Sequence, residues 1–376
     1  MMRRWILAWI GCVFLMNVPA QMFGAPCKPA FPLENGKTLG WQGGDAAYTV
    51  PLPDSRDVWI FGDTLYGPKR QVNGHIPQMT HNSLGISSCD ASGKWSIRYA
   101  VKRDAAGAAT SFFSPKDPKT WYWAMAAFAA KDDLWVTLLC IRQAPKPTPW
   151  AMDFETCGAD LARVSDLSRD PQEWKVDYFP LVKDGVKAYP SAAALVKDDY
   201  AYIFALYEAG PRPMLLTRIP LKGLKDPAAN LEFLAEDGSW KPGLKPAEAK
   251  HVMETGSSEM SVRYDAARKI WIAVMVDPAG LSDKVYLRTA PSLTGPWTKG
   301  DVIYHMPEMA KSTPGYDADT FCYAAKEHPE FETSPNEIVF TYVCNTMNVK
   351  KLETELNIYF PQVVTVQMPV DVGKEP

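Results

Sequence analysis

An all-β chain folded as a five-bladed β-propeller is what this sequence predicts, and three observations predict it. Strand-like runs recur in five units of about 55–75 residues, most with four runs apiece, which is the spacing of propeller blades. Thirty-two prolines and 24 glycines supply the many turns such a fold needs. Helical periodicity is nearly absent, residues 246–253 being the one stretch that suits a short helix.

The first unit opens on the hairpin that organises the chain. A strand starts near Gly44, turns at Pro53-Asp54-Ser55-Arg56 and returns over residues 57–64. Pivoting on Asp54 sets residue i opposite 108−i, so Asp45 faces Asp63. Directly opposed Cβ atoms lie about 4.5–5.5 Å apart, where like charges destabilise a sheet. Two carboxylates that close split their proton affinities, which acid/base chemistry exploits and a purely structural hairpin avoids. An Asp beside Gly often just shapes a turn. Two of them at the same end of one hairpin point to a site.

Residues 82–86 and 94–98 complete the first unit. Runs at 121–130, 134–141, 157–164 and 173–179 form the second, and 191–196, 200–207, 214–219 and 231–234 the third. The fourth has 260–264, 270–276, 285–289 and 297–304. The fifth shows only 320–325, 337–343 and 356–366, so residues 33–42 are expected to lend it a strand and close the ring. A two-sheet sandwich would leave five similar units unexplained.

Residues 1–20 read as a cleaved secretory signal: a basic Arg3-Arg4 head, an apolar run too short to span a bilayer, and Val18-Pro19-Ala20 before the cut. Residues 21–376 are then one propeller domain, secreted or periplasmic and free of the membrane after cleavage. Cys12 leaves with the signal. The remaining six cysteines pair on an expected pattern of Cys27–Cys89, Cys140–Cys157 and Cys322–Cys344. No cluster has zinc spacing and histidines number five, so no metal and no cofactor are expected. A net charge of −3 without basic runs excludes nucleic acid as a partner. A monomer acting on a polysaccharide is the expected state.

The first strand of each blade lines the channel, so the openings of the five units should converge. They carry Asp45, Trp121, Tyr189, Glu259 and Asp319, a mixture of carboxylates and flat aromatic faces suited to sugars. Trp41, His81 and Asn82 join them as expected substrate contacts, and Asp45 and Asp63 are the expected catalytic pair. Asp45 is given the nucleophile role, because it sits on the inner strand. Asp63 is given the acid/base role, because Trp59 and Phe61 would desolvate it. A short separation across one hairpin favours retention of configuration. Each residue also has a plainer reading: tryptophans fill gaps between blades, and Glu259 could merely pair with Arg263.

Gly43-Gly44-Asp45-Ala46 with Val58-Trp59-Ile60-Phe61-Gly62-Asp63-Thr64 resembles the opening blade of a family formerly listed as a domain of unknown function, whose characterised members are D-arabinan-cleaving glycoside hydrolases. Ser258-Glu259-Met260-Ser261-Val262, Lys269-Ile270-Trp271 and Leu293-Thr294-Gly295-Pro296-Trp297 are similar too, so the likeness runs from about Leu39 to Val366. The Gly-Pro-Trp turn is shared with other five-bladed arabinanases and fructanases. The resemblance implies a propeller that cleaves furanose polymers, with Asp45 and Asp63 in the catalytic positions. Ala46-Ala47-Tyr48 departs from the Gly-Ala-small pattern of that family and places bulk beside the site. A carbohydrate-binding propeller without chemistry is the competing class. Sialidases, which the turn at residues 88–95 resembles, rank last for want of the hairpin.

Overall fold

Five innermost strands close a ring in the computed structural model, which describes residues 27–33, 40–68, 77–146, 153–278, 282–369 and 372. They are Gly40–Pro51, Thr120–Ala130, Ala188–Lys197, Met260–Asp265 and Thr320–Glu327, each packed against the one before and the one after. The chain is a five-bladed β-propeller. Each inner strand begins its own antiparallel sheet, and the blades follow in sequence order.

Blade 1 continues outward through Arg56–Gly67, Ser83–Cys89 and Trp95–Ala100, with a short Gln78–Thr80 strand on Arg56–Gly67. Blade 2 adds Asp133–Gln143, Phe154–Ser165 and Lys175–Lys183. Blade 3 adds Tyr200–Tyr207, Met214–Pro220, Glu232–Leu234 and Trp240–Pro242. Blade 4 adds Ile270–Val276, Lys284–Ala290 and Asp301–His305. Blade 5 has Glu337–Thr346 and Pro361–Gln367.

Second strands are apolar on both faces because each is covered by neighbouring blades on both sides. Val58, Trp59, Ile60 and Phe61 are fully buried, as are Ile272, Ala273, Val274 and Met275. Inner strands meet a different demand, since backbones crowd together near the axis. Four of the five break register there: at Gly44–Tyr48, Ala124–Ala127, Pro190–Ala193 and Tyr323–Lys326. Such bulges re-aim side chains at the cost of local strain. Ala46, Ala47 and Ala324 take up left-handed backbone at these breaks, with φ of 61°, 57° and 62°.

All three disulfides join the expected partners, Cys27–Cys89, Cys140–Cys157 and Cys322–Cys344. The first anchors the segment carrying Phe31, whose ring meets Trp59 edge-on at 4.8 Å and also packs on Phe360 of blade 5.

Two expectations need correction. Of residues 33–42, those at 34–39 lie outside the described residues, while Gly40, Trp41 and Gln42 begin the inner strand of blade 1 and pair within it. Among the described residues blade 5 therefore keeps three strands. Of residues 246–253 only Pro246–Glu248 turn, as one 3-10 turn, because Ala249 and Met253 are taken up by β-bridges to Ala235 and Met214. The secretory signal expected at 1–20 lies outside the described residues. Among the described residues no helix is long and apolar enough to cross a membrane.

Candidate active site

The opening hairpin holds the expected register at Gly44↔Thr64 and from Tyr48↔Ile60 to Pro51↔Asp57, but breaks it at Asp45. Ala46 pairs with Phe61, leaving Asp45 on one strand and Gly62-Asp63 on the other within the same bulged step. Asp45 is thus near Asp63 without facing it as a ladder pair. Gly62 makes the approach possible, because a Cβ there would overlap Asp45 Oδ1.

The two carboxyls sit in contrasting surroundings. Oδ2 of Asp45 accepts from the hydroxyl of Tyr323 at 2.8 Å and from that of Tyr359 at 3.2 Å, both on blade 5. Burial raises the Asp45 pKa well above the ordinary carboxylate range. The charges of Asp63 and Glu259 add to the rise, and the two tyrosine hydrogen bonds oppose it. Both phenols are themselves pushed up, chiefly by burial and then by Asp45, so they stay protonated donors. Asp63 faces ring nitrogens instead. Its Oδ1 accepts from the Trp123 indole at 3.1 Å and lies 3.0 Å from His81 Nδ1. A donor-only indole suits a carboxylate anion.

Around this pair, the His81 ring stacks on Trp121 with centroids 4.9 Å apart. The Trp121 indole nitrogen is buried with no hydrogen-bond partner among the described residues. Glu259 Oε1 accepts from Lys326 at 3.0 Å, and Lys326 lies over the Tyr48 ring. Asp45, Asp63, His81, Trp121 and Glu259 are brought together by blades 1, 2 and 4.

Four expected substrate contacts, and the two rings expected to desolvate Asp63, lie elsewhere. Trp41 is fully buried and stacks on Tyr99 at 4.2 Å, in the aromatic core beneath the hairpin. Asn82 is fully buried too; its amide donates to the carbonyls of Phe113 and Tyr122 and accepts from Phe113 N, so all its bonds go to backbone. Tyr189 packs in the core shared by blades 1, 2 and 3. Asp319 is exposed and pairs with Lys351 at 3.4 Å, beside Asp317. Trp59 and Phe61, expected to desolvate Asp63, belong to the same buried cluster as Trp41.

Sequence reasoning left Trp123, Tyr323, Tyr359 and Lys326 out of the site. Trp123 carried a signal, standing two residues beyond Trp121 on one face of an inner strand. Tyr323 and Lys326 are on an inner strand as well, but a bulge separates them and hides the alternation.

Among the described residues, Glu308, Cys322 and Cys344 have ligand spacing, yet both cysteines are spent in a disulfide and offer no thiolate.

Asp45 thus lies on an inner strand of a five-bladed propeller and Asp63 on the strand beside it, with Trp123 and His81 against Asp63. The chain belongs to the family described as Domain of unknown function (DUF5005), whose model matches residues 35–367. Among solved structures it is similar to a candidate hydrolase from Bacteroides ovatus, with a TM-score of 0.68 at 16% identity over 90% of each chain. A xylan beta-1,4-xylosidase from Bacillus halodurans aligns at TM-score 0.49 and 9% identity, over 89% of this chain and 54% of that one. An exo-1,5-alpha-L-arabinanase from a bovine ruminal metagenomic library aligns at 0.42 and 10%, over 88% and 94%. At 16% identity the likeness to the Bacteroides ovatus protein is one of fold. No curated protein matches the chain.

Proposed function

We propose that the protein is an exported glycoside hydrolase that cleaves furanosidic bonds in an arabinan-type polysaccharide, with Asp45 and Asp63 as the reacting carboxylates. One observation carries this reading: two carboxyls meet at one strained bulge, one buried in favour of its proton and the other held by an indole N–H. Environments that push two carboxyls apart assign acid and base. The roles are the reverse of those expected from sequence. Asp45 donates its proton to the leaving oxygen while Asp63 attacks the anomeric carbon. In the second half Asp45 takes a proton from water as the water displaces Asp63. Carboxyls from one step of a hairpin support the short separation of a retaining enzyme, about 5–5.5 Å. His81 and Trp121 offer a stacked platform for a sugar face. The arabinan assignment rests on the sequence motifs around Asp45 and Asp63. Export rests on residues 1–20 and on three disulfides, which persist in oxidising compartments.

Incubating the mature protein with D- and L-arabinans and following products by NMR tests this. Hydrolysis with the initial anomeric configuration kept is the expected result. Asp63→Asn should abolish turnover on every substrate. Asp45→Asn should slow it by about 10²–10⁴ on polymer, less on aryl furanosides with good leaving groups. Tight binding of arabinan without any product would make the protein a carbohydrate-binding propeller and sink the enzyme reading.

A further inference from the structure

The inner strand of blade 5 alternates at its start: Thr320 and Cys322 are buried, while Phe321 and Tyr323 are half-buried. Alternate residues of a strand share a face. Cys322 faces the core between blades 4 and 5, where it is bonded to Cys344. Phe321 and Tyr323 take the other face, with their rings 5.9 Å apart and 22° from parallel. The hydroxyl of Tyr323, 2.8 Å from Asp45 Oδ2, turns that face towards blade 1 and its carboxyl. Phe321 stands two residues nearer the start of the strand, beside the loop that holds exposed Tyr316.

Other large rings of the propeller, Trp41, Trp59, Phe61 and Phe340 among them, are fully buried. Among the described residues Phe321 packs into none of the hydrophobic cores, and Tyr323 is its one ring contact. A ring left partly in water gains free energy when an apolar surface covers it. Directly across the ladder from Phe321 lies Asn345. Side chains opposed in this way share a face, with Cβ atoms about 4.5–5.5 Å apart. The Asn345 amide oxygen accepts from the backbone N–H of Thr346 at 2.8 Å, and among the described residues its amide nitrogen donates to nothing. A flat apolar face beside a free donor matches a sugar ring, which offers C–H groups on one face and hydroxyls around its rim.

We propose that Phe321 and Asn345 form a sugar-binding subsite on the Asp45 side of the channel, which takes the furanose ring that departs when the bond is cut. Asp45 protonates the leaving oxygen in the reaction proposed above, so the departing sugar lies towards Tyr323 and Phe321. His81 and Trp121 flank Asp63 on the blade 2 side, where the sugar under attack sits. Blade 1 has blades 2 and 5 as its neighbours, so the polysaccharide runs from Trp121 across the two carboxyls to Phe321. The leaving side rests on the roles given to Asp45 and Asp63, but the subsite itself is a binding claim that needs no turnover to measure.

The first measurement is calorimetric titration with α-1,5-linked arabinotetraose, in the D and L series, on Asp63→Asn protein, which the proposed reaction leaves unable to cleave. Adding Phe321→Ala should weaken binding of the preferred tetraose about tenfold, and Phe321→Tyr should keep it within about twofold. Asn345→Ala should weaken it about threefold or more. Melting temperature should stay within about 2 °C, because Phe321 belongs to no core. Unchanged affinity in Phe321→Ala overturns the proposal, as does binding of neither tetraose. A loss that follows the melting temperature and that Phe321→Tyr shares also overturns it. Kinetics then reads the side. Phe321→Ala in the active protein should lose about tenfold in kcat/KM on the tetraose. On arabinofuranosyl fluoride, whose leaving group has no ring to stack, its loss should be about fivefold smaller. Equal losses on both overturn the leaving-side assignment. Were neither substrate cleaved while tetraose binding depended on Phe321, the hydrolase reading would fall and the subsite would stand. Cleavage dependent on Asp45 and Asp63 with binding indifferent to Phe321 would do the opposite.

Discussion

The Tyr323 hydroxyl donates to Oδ2 of Asp45 at 2.8 Å across the seam where the last blade meets the first, 278 residues away in sequence. Closing the ring and completing the carboxyl's surroundings are therefore one event. Tyr359 makes the second contact from the same blade at 3.2 Å. Tyr323→Phe keeps the ring and its 5.9 Å stack on Phe321 but removes the donor. Turnover should drop about tenfold, and the double Tyr323→Phe/Tyr359→Phe variant should lose more than either single change. Melting temperature should shift little, since Tyr323 is half-buried and its ring is retained. Steady-state kinetics beside thermal unfolding separates the two effects.

Gly62→Ala should be more damaging than its size suggests. Its methyl group would occupy the place of Asp45 Oδ1, the movable end of a side chain rather than backbone. The fold is expected to survive while the carboxyl swings away from Tyr323. Activity should fall by about 10²-fold or more, with circular dichroism unchanged. Near-normal activity would show that Asp45 need not lie across Gly62 to work.

Trp123→Phe and Trp41→Phe should divide cleanly. Trp123 donates to Asp63, so its loss should cut turnover about tenfold with modest effect on stability. Trp41 is fully buried among Phe31, Phe61, Tyr99 and Phe360, so shrinking it leaves a cavity. A cost of about 2–3 kcal/mol is expected, with activity retained in the folded fraction. Denaturant unfolding and specific activity corrected for folded protein read the two.

Stability should decline towards alkaline pH. Burial raises the Glu330 pKa from 4.5 to about 8, assisted by the Asp57 charge and opposed by a hydrogen bond from Thr49. Glu332 is also raised, first by burial and then by Glu327, with which it shares Arg263 between blades 4 and 5. The folded chain then holds a proton that the unfolded chain releases. For Glu330 that contribution is complete below about pH 4.5 and disappears as pH passes 8. Glu330→Gln should therefore match wild type near pH 5 and exceed it near pH 9, by on the order of 2–4 kcal/mol. A difference independent of pH would show that Glu330 is ionised in the fold.

The sequence by itself determined the blades and the hairpin, because these depend on local pattern. Apolar runs such as 203–206 and 272–276 can only be covered strands, and the turn at 53–56 sets the pairing of everything nearby. Order along the chain made the three cysteine pairs plausible, but it was the fold that joined Cys27 to Cys89, Cys140 to Cys157 and Cys322 to Cys344. Which side chains reach the site was decided by tertiary structure. A bulge of one residue reverses the face of every side chain beyond it. At Asp45 two such breaks, Gly44/Ala46 and Ala46/Tyr48, compensate through the left-handed Ala46 and Ala47, so Asp45 leaves the ladder while the pairing resumes at Tyr48↔Ile60. Trp41 and Asn82 look like site residues from their position in the chain, yet packing turned them into the core, where no sugar reaches. Tyr323, Lys326 and Tyr359 arrive only because the ring closes, bringing residues 278 and 314 positions distant onto one carboxyl. Closure is a property of five sheets packed together, and no window of sequence contains it.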